Sequence, residues 1–217
     1  MHTPASGSGS LFVVVAPSGA GKTSLVRALM RDRPGIELSV SHTTRPPRPG
    51  ELDGRDYFFV DVPEFERLRA AGEFLEWAQV HGNLYATSRR FIEARIGTGA
   101  DLVLEIDWQG ARSVRTLFPD AVSIFIAPPS IDELRRRLQG RGQDSAEVIE
   151  RRIANARGEL AHLAEFDYVI INQEFTSAAS ALVSVVDAAR LRLRPQVRRH
   201  PELLRALGLD PEALLPR

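Results

Sequence analysis

The stretch LFVVVAPSGAGKTSLVRALMR, residues 11–31, constrains the fold of this chain more than any other. Residues 11–15 are apolar and rich in β-branched side chains, as in a strand buried on both faces of a parallel sheet. Residues 22–31 carry Leu25, Val26, Leu29 and Met30 at helical spacing. Between them runs Ala16-Pro17-Ser18-Gly19-Ala20-Gly21-Lys22-Thr23-Ser24. It nearly matches G-x-x-x-x-G-K-[ST], with Ala16 in place of the first glycine. Gly19 and Gly21 let successive backbone N–H groups turn inward, and the following helix points its free N–H groups at the same spot. Lys22 is suited to reach β- and γ-phosphates, and the Thr23 hydroxyl to ligate Mg²⁺. The competing reading is a glycine turn that only caps a helix. Composition weighs against it: of 28 Lys and Arg residues, Lys22 is the sole lysine. Arginine serves everywhere else, but its planar fork does not replace a compact ammonium inside such a loop.

Three more apolar runs read as buried strands: DLVLEI (101–106), AVSIFIA (121–127) and YVII (168–171). Helical patterns separate them, which predicts an α/β fold with a parallel sheet flanked by helices. The expected organisation is a tail at 1–10, a core from 11–36, 93–128 and 159–193, an insertion at 37–92 with its own small sheet, a charged helix–loop–helix at 129–158, and a helical C-terminal region at 194–217 with a mobile end. Asp144, three residues before Glu147, is a candidate capping box for the second helix of the 129–158 piece.

Positive and negative side chains balance, 28 against 28, which argues against a nucleic-acid binder held by a general positive field. The chain has no cysteine, so it has neither a disulfide framework nor a thiolate metal site. The first ten residues lack the basic start and apolar run of a signal peptide, and no apolar run approaches the ~20 residues of a membrane span. A cytoplasmic protein, with no membrane or nucleic-acid partner, is expected. The five histidines show no ligand spacing.

The segment SHTTRPPRPGELDGRDYFF, residues 41–59, is unsuited to a regular helix or central strand. Arg45 and Arg48 flank Pro46 and Pro47. The prolines stiffen the chain, which favours two guanidinium groups converging on one anion, and Tyr57 can add a phenolic donor. A solvated arginine-rich loop with turn prolines is the alternative for this stretch read alone.

Taken together and in order, APSGAGKTS, SVSHTTRPPRPGELDGRDYFF, FLEWAQVHGNLYATS, LEIDWQG, IFIAPPS, RLQGRGQDS and VIIN resemble the guanylate kinase family of nucleoside monophosphate kinases. The resemblance runs from about residue 11 into the 190s. It implies a P-loop NTPase-type core, a GMP-binding insertion and a helical lid, with ATP and GMP (and dGMP) as substrates and Mg²⁺ as cofactor. By motif match, residues Ala16 to Ser24 and Asn172 would contact ATP. Arg45, Arg48, Tyr57 and Tyr85 would hold the GMP phosphate. Ser41, Glu76 and Thr87 would read guanine, with Glu105 and Asp107 nearby. Arg137, Arg141 and Arg152 would belong to the lid, and Lys22, Arg45 and the lid arginines would carry catalysis.

The base assignment is chemically coherent. A Glu76 carboxylate can accept from guanine N1–H and N2–H₂, while the Ser41 and Thr87 hydroxyls donate to O6. Adenine would leave these groups mispaired. Two positions depart from the family pattern: Glu105 stands where aspartate is frequent, and Ala86 lies in a Tyr-Ala-Thr that is more often Tyr-Gly-Ser or Tyr-Gly-Thr. The sequence leaves monomer and homodimer both open. The rivals are a kinase for another small acceptor, a catalytically dead binding module, and a GTPase switch, for which the chain lacks a convincing N-K-x-D guanine motif. Retention of Lys22, Thr23 and the arginines opposes the second.

Overall fold

The computed structural model describes residues 9–80, 82–140 and 145–215. Its centre is a five-stranded, fully parallel sheet in the order β2-β7-β1-β8-β9. The strands are β1 (Leu11–Val15), β2 (Ile36–Leu38), β7 (Asp101–Glu105), β8 (Val122–Ala127) and β9 (Tyr168–Ile171). β1 pairs with β7 on one side and β8 on the other. Its five residues are all buried, because alternate side chains enter different cores. Phe12 and Val14 pack with Leu25, Leu29 and Leu182. Leu11, Val13 and Val15 pack with Ile92, Leu104 and Val114. This two-sided burial is why LFVVV shows no polar alternation.

Helix α1 (Lys22–Asp32) follows β1 and lies beside α7 (Phe175–Arg190) on the first face. Helices α3 (Arg89–Gly97) and α4 (Trp108–Leu117) supply the second. The expected strands at 101–106, 121–127 and 168–171 are all present within a residue of their bounds. β2 adds a parallel edge to β7, so the core extends past residue 36, where the sequence reading placed its limit.

The insertion forms a four-stranded sheet, β4-β3-β6-β5. Its strands are β3 (His42–Thr43), β4 (Phe58–Phe59), β5 (Phe74–Val80) and β6 (Asn83–Ser88). Helix α2 (Val62–Ala70) begins at Asp61, whose side chain accepts from Glu64 N, and it buries Phe65 against Phe74 and Ala86.

Helices α5 (Ile131–Gly140) and α6 (Ala146–Leu160) fall in the 129–158 piece and pack through Leu134, Leu138, Ile149, Ile153 and Ala156. Ser145 caps α6 by accepting from Val148 N, one residue after the expected cap, Asp144, which lies outside the described residues. The C-terminal region is helical through α8 (Leu193–Arg199) and α9 (Pro201–Ala206). Up to residue 199 it is not loose: Arg190 and Arg199 both pair with the buried Asp101 at the start of β7.

Candidate functional site

The loop between β1 and α1 lies at the carboxyl end of the sheet, where open α/β folds bind ligands. Gly19 and Gly21 have φ of 94° and 98°, a left-handed conformation that side chains rarely adopt. Space is short as well: a Cβ on Gly19 would meet Leu138 Cδ2 of α5 at 2.9 Å, and one on Gly21 would meet Asn172 Nδ2 at 2.5 Å. The Asn172 amide, buried at the end of β9, donates to Ala20 O at 2.7 Å. It braces the loop from behind and does not line the cavity described below. The resemblance implies an ATP contact for Asn172.

A cavity of about 260 Å³ opens in front of the loop. Residues 16–19 and 21–24 line it, Lys22 and Thr23 included. So do Ser41, Arg48, Tyr57, Glu76 and Tyr85 from the insertion. Glu105 and Asp107 from the end of β7, and Arg152 and Glu159 from α6, line it as well. Segments far apart in sequence thus meet in a single space.

Glu76 is 6% exposed and accepts from Thr87 Oγ1 at 2.6 Å. Burial pushes its carboxyl up to about 7 and Asp107 adds to the rise, against the opposing pull of Thr87. The one hydroxyl hydrogen of Thr87 goes to Glu76. Thr87 therefore holds the acid from behind instead of presenting a donor to the cavity, as the resemblance had implied. Ser41 remains at the wall.

Arg45 lies one layer behind Tyr57, its guanidinium 5.3 Å from the ring centroid. Its Nη2 donates to both oxygens of Glu51, at 2.9 Å each. Glu51 also accepts from the backbone N–H of Arg48 at 2.7 Å. The two arginines are thus ordered by a carboxylate as well as by prolines. Tyr57 and Tyr85 meet edge to face at 6.0 Å. Burial, then Glu105, pushes the Tyr57 phenol up to about 12, so it stays a neutral donor at any physiological pH.

Thr23 Oγ1 donates to Glu105 Oε2 at 2.8 Å, while Glu105 Oε1 is buried with no hydrogen-bond partner in the structure. Hard oxygen donors beside a phosphate loop, one of them unsatisfied, fit Mg²⁺. Among the described residues no group of three or more His, Cys, Asp or Glu could hold a metal by itself. Such a site needs oxygens from a phosphate ligand or water.

Of the three arginines that the resemblance implies for a lid, Arg152 reaches the cavity and donates to Ser18 Oγ in the loop. Arg137 instead bonds Glu133 Oε1 at 2.7 Å and Asn172 O at 2.8 Å, behind the loop. Arg141 lies outside the described residues.

A family model described as guanylate kinase matches residues 8–189. The chain belongs to the guanylate kinase family. It is 59% identical over 202 residues to a guanylate kinase of Aromatoleum aromaticum, covering 93% of this chain and 99% of that one. It is 57% identical to one of Bordetella pertussis, with 93% and 94% covered. The crystal structure of guanylate kinase from Anaplasma phagocytophilum superposes with a TM-score of 0.76 at 35% identity, covering 91% and 94%.

Two carboxylates of this guanylate kinase fold escaped the sequence reading. Glu51 sits six residues after Arg45 in a loop, where no periodicity advertises contact. Glu159 lies seven residues after Arg152 on α6, two turns along one face, a spacing that could have flagged it. Burial, opposed by the Lys22 ammonium, pushes the Glu159 carboxyl up to about 7.

Proposed function

We infer that the chain transfers the terminal phosphoryl group of ATP to GMP, giving ADP and GDP. The observation that carries this reading is the shared cavity, lined both by the phosphate loop and by the arginine, tyrosines and buried glutamate of the insertion. Two anionic ligands held head to head in such a space have their reacting atoms in line, and positioning is most of the catalysis that phosphoryl transfer needs.

In this reading the loop N–H groups and Lys22 hold the ATP phosphates. Arg48, Tyr57 and Tyr85, with Arg45 behind them, grip the GMP phosphate. Glu76, backed by Thr87, accepts from the guanine edge. Arg152 neutralises charge on the phosphoryl in transfer from the lid side. The acceptor phosphate is already anionic near neutral pH, so no general base is assigned. Mg²⁺ would be held by Thr23 and Glu105 together with ATP oxygens, and when bound it supplies charge neutralisation on the phosphates. The lid carries Arg152 on α6, and its α5 leucines, Leu134 and Leu138, crowd the space that a side chain on the loop glycine Gly19 would need. Lid movement would therefore reach the phosphate site directly.

The test is ADP formation from ATP and Mg²⁺ with GMP, dGMP, AMP, CMP or UMP as acceptor. Turnover with GMP and dGMP alone supports the reading. Turnover with AMP would keep the two-phosphate cavity and overturn the base assignment. Silence with every acceptor would point to a binding module.

A further inference from the structure

Gly110 is the third residue of α4, buried, and carries an ordinary helical backbone. No left-handed turn requires a glycine there, and glycine is a poor helix former. The reason lies across the gap, on β5. A Cβ on Gly110 would stand 2.5 Å from Glu76 Oε2, 3.0 Å from Glu76 Cδ and 3.3 Å from Asp107 Oδ1. All three are closer than ordinary contact allows. Glu76 has little freedom to give way: Oε1 is tied to Thr87 Oγ1 at 2.6 Å, and the side chain is enclosed. The first turn of α4 is fixed as well, because Gly110 N donates to its N-cap, Asp107 Oδ1, at 2.8 Å. The missing side chain of Gly110 is the slot that the carboxyl group occupies.

We propose that Gly110 is a specificity-determining residue, whose missing Cβ sets the position of Glu76 Oε2 against the incoming base. This rests on the reading that Glu76 accepts from guanine. Glu76 needs both oxygens at fixed places to meet N1–H and N2–H₂ together, and a methyl group on Gly110 would push Oε2 out of its place. Gly110 touches no substrate. It acts through Glu76, as a positioning residue.

The experiment compares Gly110→Ala, Glu76→Gln, Glu76→Asp and the double variant Gly110→Ala/Glu76→Asp, using GMP and IMP as acceptors. IMP lacks the N2 amino group. Gly110→Ala is expected to raise KM for GMP about tenfold or more, as for a lost charge-assisted hydrogen bond. KM for IMP should rise less, so that the preference for GMP shrinks, and KM for ATP should stay at its parent value. Aspartate is shorter by one methylene. Adding Glu76→Asp should therefore lower KM for GMP from that of Gly110→Ala, although the same change in the parent raises it. Such a rescue also excludes general misfolding. An unchanged GMP preference in Gly110→Ala, beside a clear loss in Glu76→Gln, overturns the role of Gly110 alone. Equal losses for GMP, IMP and ATP without rescue also overturn it, by showing a structural defect. Unchanged GMP affinity in Glu76→Gln overturns the base reading and the inference with it.

Discussion

Glu51 holds Arg45 and Arg48 in one frame, accepting twice from Arg45 Nη2 at 2.9 Å and once from Arg48 N at 2.7 Å. The loop's prolines limit where the backbone goes, but this carboxylate fixes where the guanidinium points. Arg45 is buried enough that losing its partner is costly: its side chain is 11% exposed. Glu51→Ala should raise KM for GMP by ~10–100-fold, as expected for charge-assisted hydrogen bonds, and leave KM for ATP near its parent value. Steady-state kinetics with each substrate varied in turn checks this. Equal effects on both substrates would place Glu51 outside the acceptor site.

Glu76 predicts a pH dependence. Its carboxyl titrates at about 7 in the ligand-free protein, against an ordinary 4.5. Guanine donors require the carboxylate, so GMP binding should release a proton below about pH 7, and KM for GMP should rise as pH falls through that value. The GMP phosphate titrates near pH 6 in every variant. The difference between the parent and Glu76→Gln therefore isolates the side chain. Calorimetry near pH 6.5 in buffers of different ionisation enthalpy reads the proton directly.

Stability follows with the opposite preference. Between pH 4.5 and 7 the folded protein binds more protons at Glu76 than the unfolded chain does, so the ligand-free protein loses stability as pH rises through that window. Glu76→Gln should match the parent near pH 4.5 and exceed it at pH 8 by on the order of 2–3 kcal/mol. Denaturant melts at the two pH values test this. A variant less stable than the parent at pH 8 would show that the buried acid is better accommodated than its surroundings suggest.

Asn172 predicts a separation of the two substrate sites. Its amide bonds Ala20 O within the phosphate loop, and it does not line the cavity. Asn172→Ala leaves that carbonyl without its donor and opens space behind Gly21. KM for ATP should rise several-fold or more, and stability should fall by ~1–3 kcal/mol. KM for GMP should hold, and a rise in it alone would overturn the assignment.

Asp101 predicts stability without function. It is 4% exposed and pairs with Arg190 and Arg199 at the amino end of β7, opposite the cavity. Breaking a buried charge cluster costs ~3–5 kcal/mol. Asp101→Ala should lower the melting temperature by roughly 10 °C, with turnover at 25 °C preserved. A loss of turnover at that temperature would link the C-terminal helices to the site.

The strands at the middle of the central sheet were legible because burial on both faces leaves a run of apolar residues, as in residues 11–15 and 102–104. The phosphate loop was legible because its chemistry lies within nine consecutive residues. The acceptor site could be named only as scattered motifs. Tyr57 could be read from the arginine–proline segment, but Ser41, Glu76 and Tyr85 come from the ordered resemblance, and no local pattern says that any of them shares a wall with Lys22. Short strands such as Ile36–Leu38 and His42–Thr43 carry too few residues to show a period, so the boundary between core and insertion was misplaced.

Sequence by itself determined the parallel α/β core, the glycine-rich loop with its lysine, and the kind of base-reading groups present. Tertiary structure decided their assignments. It turned Thr87 towards Glu76, set Asn172 behind the loop, matched Glu51 to Arg45, brought Glu159 near Lys22, and gave Glu76 the space left by Gly110. Local sequence specifies backbone preference and the side of an element that is buried. Which donor meets which acceptor, and how far a carboxyl group's titration moves, depends on neighbours tens of residues away and on the water they exclude.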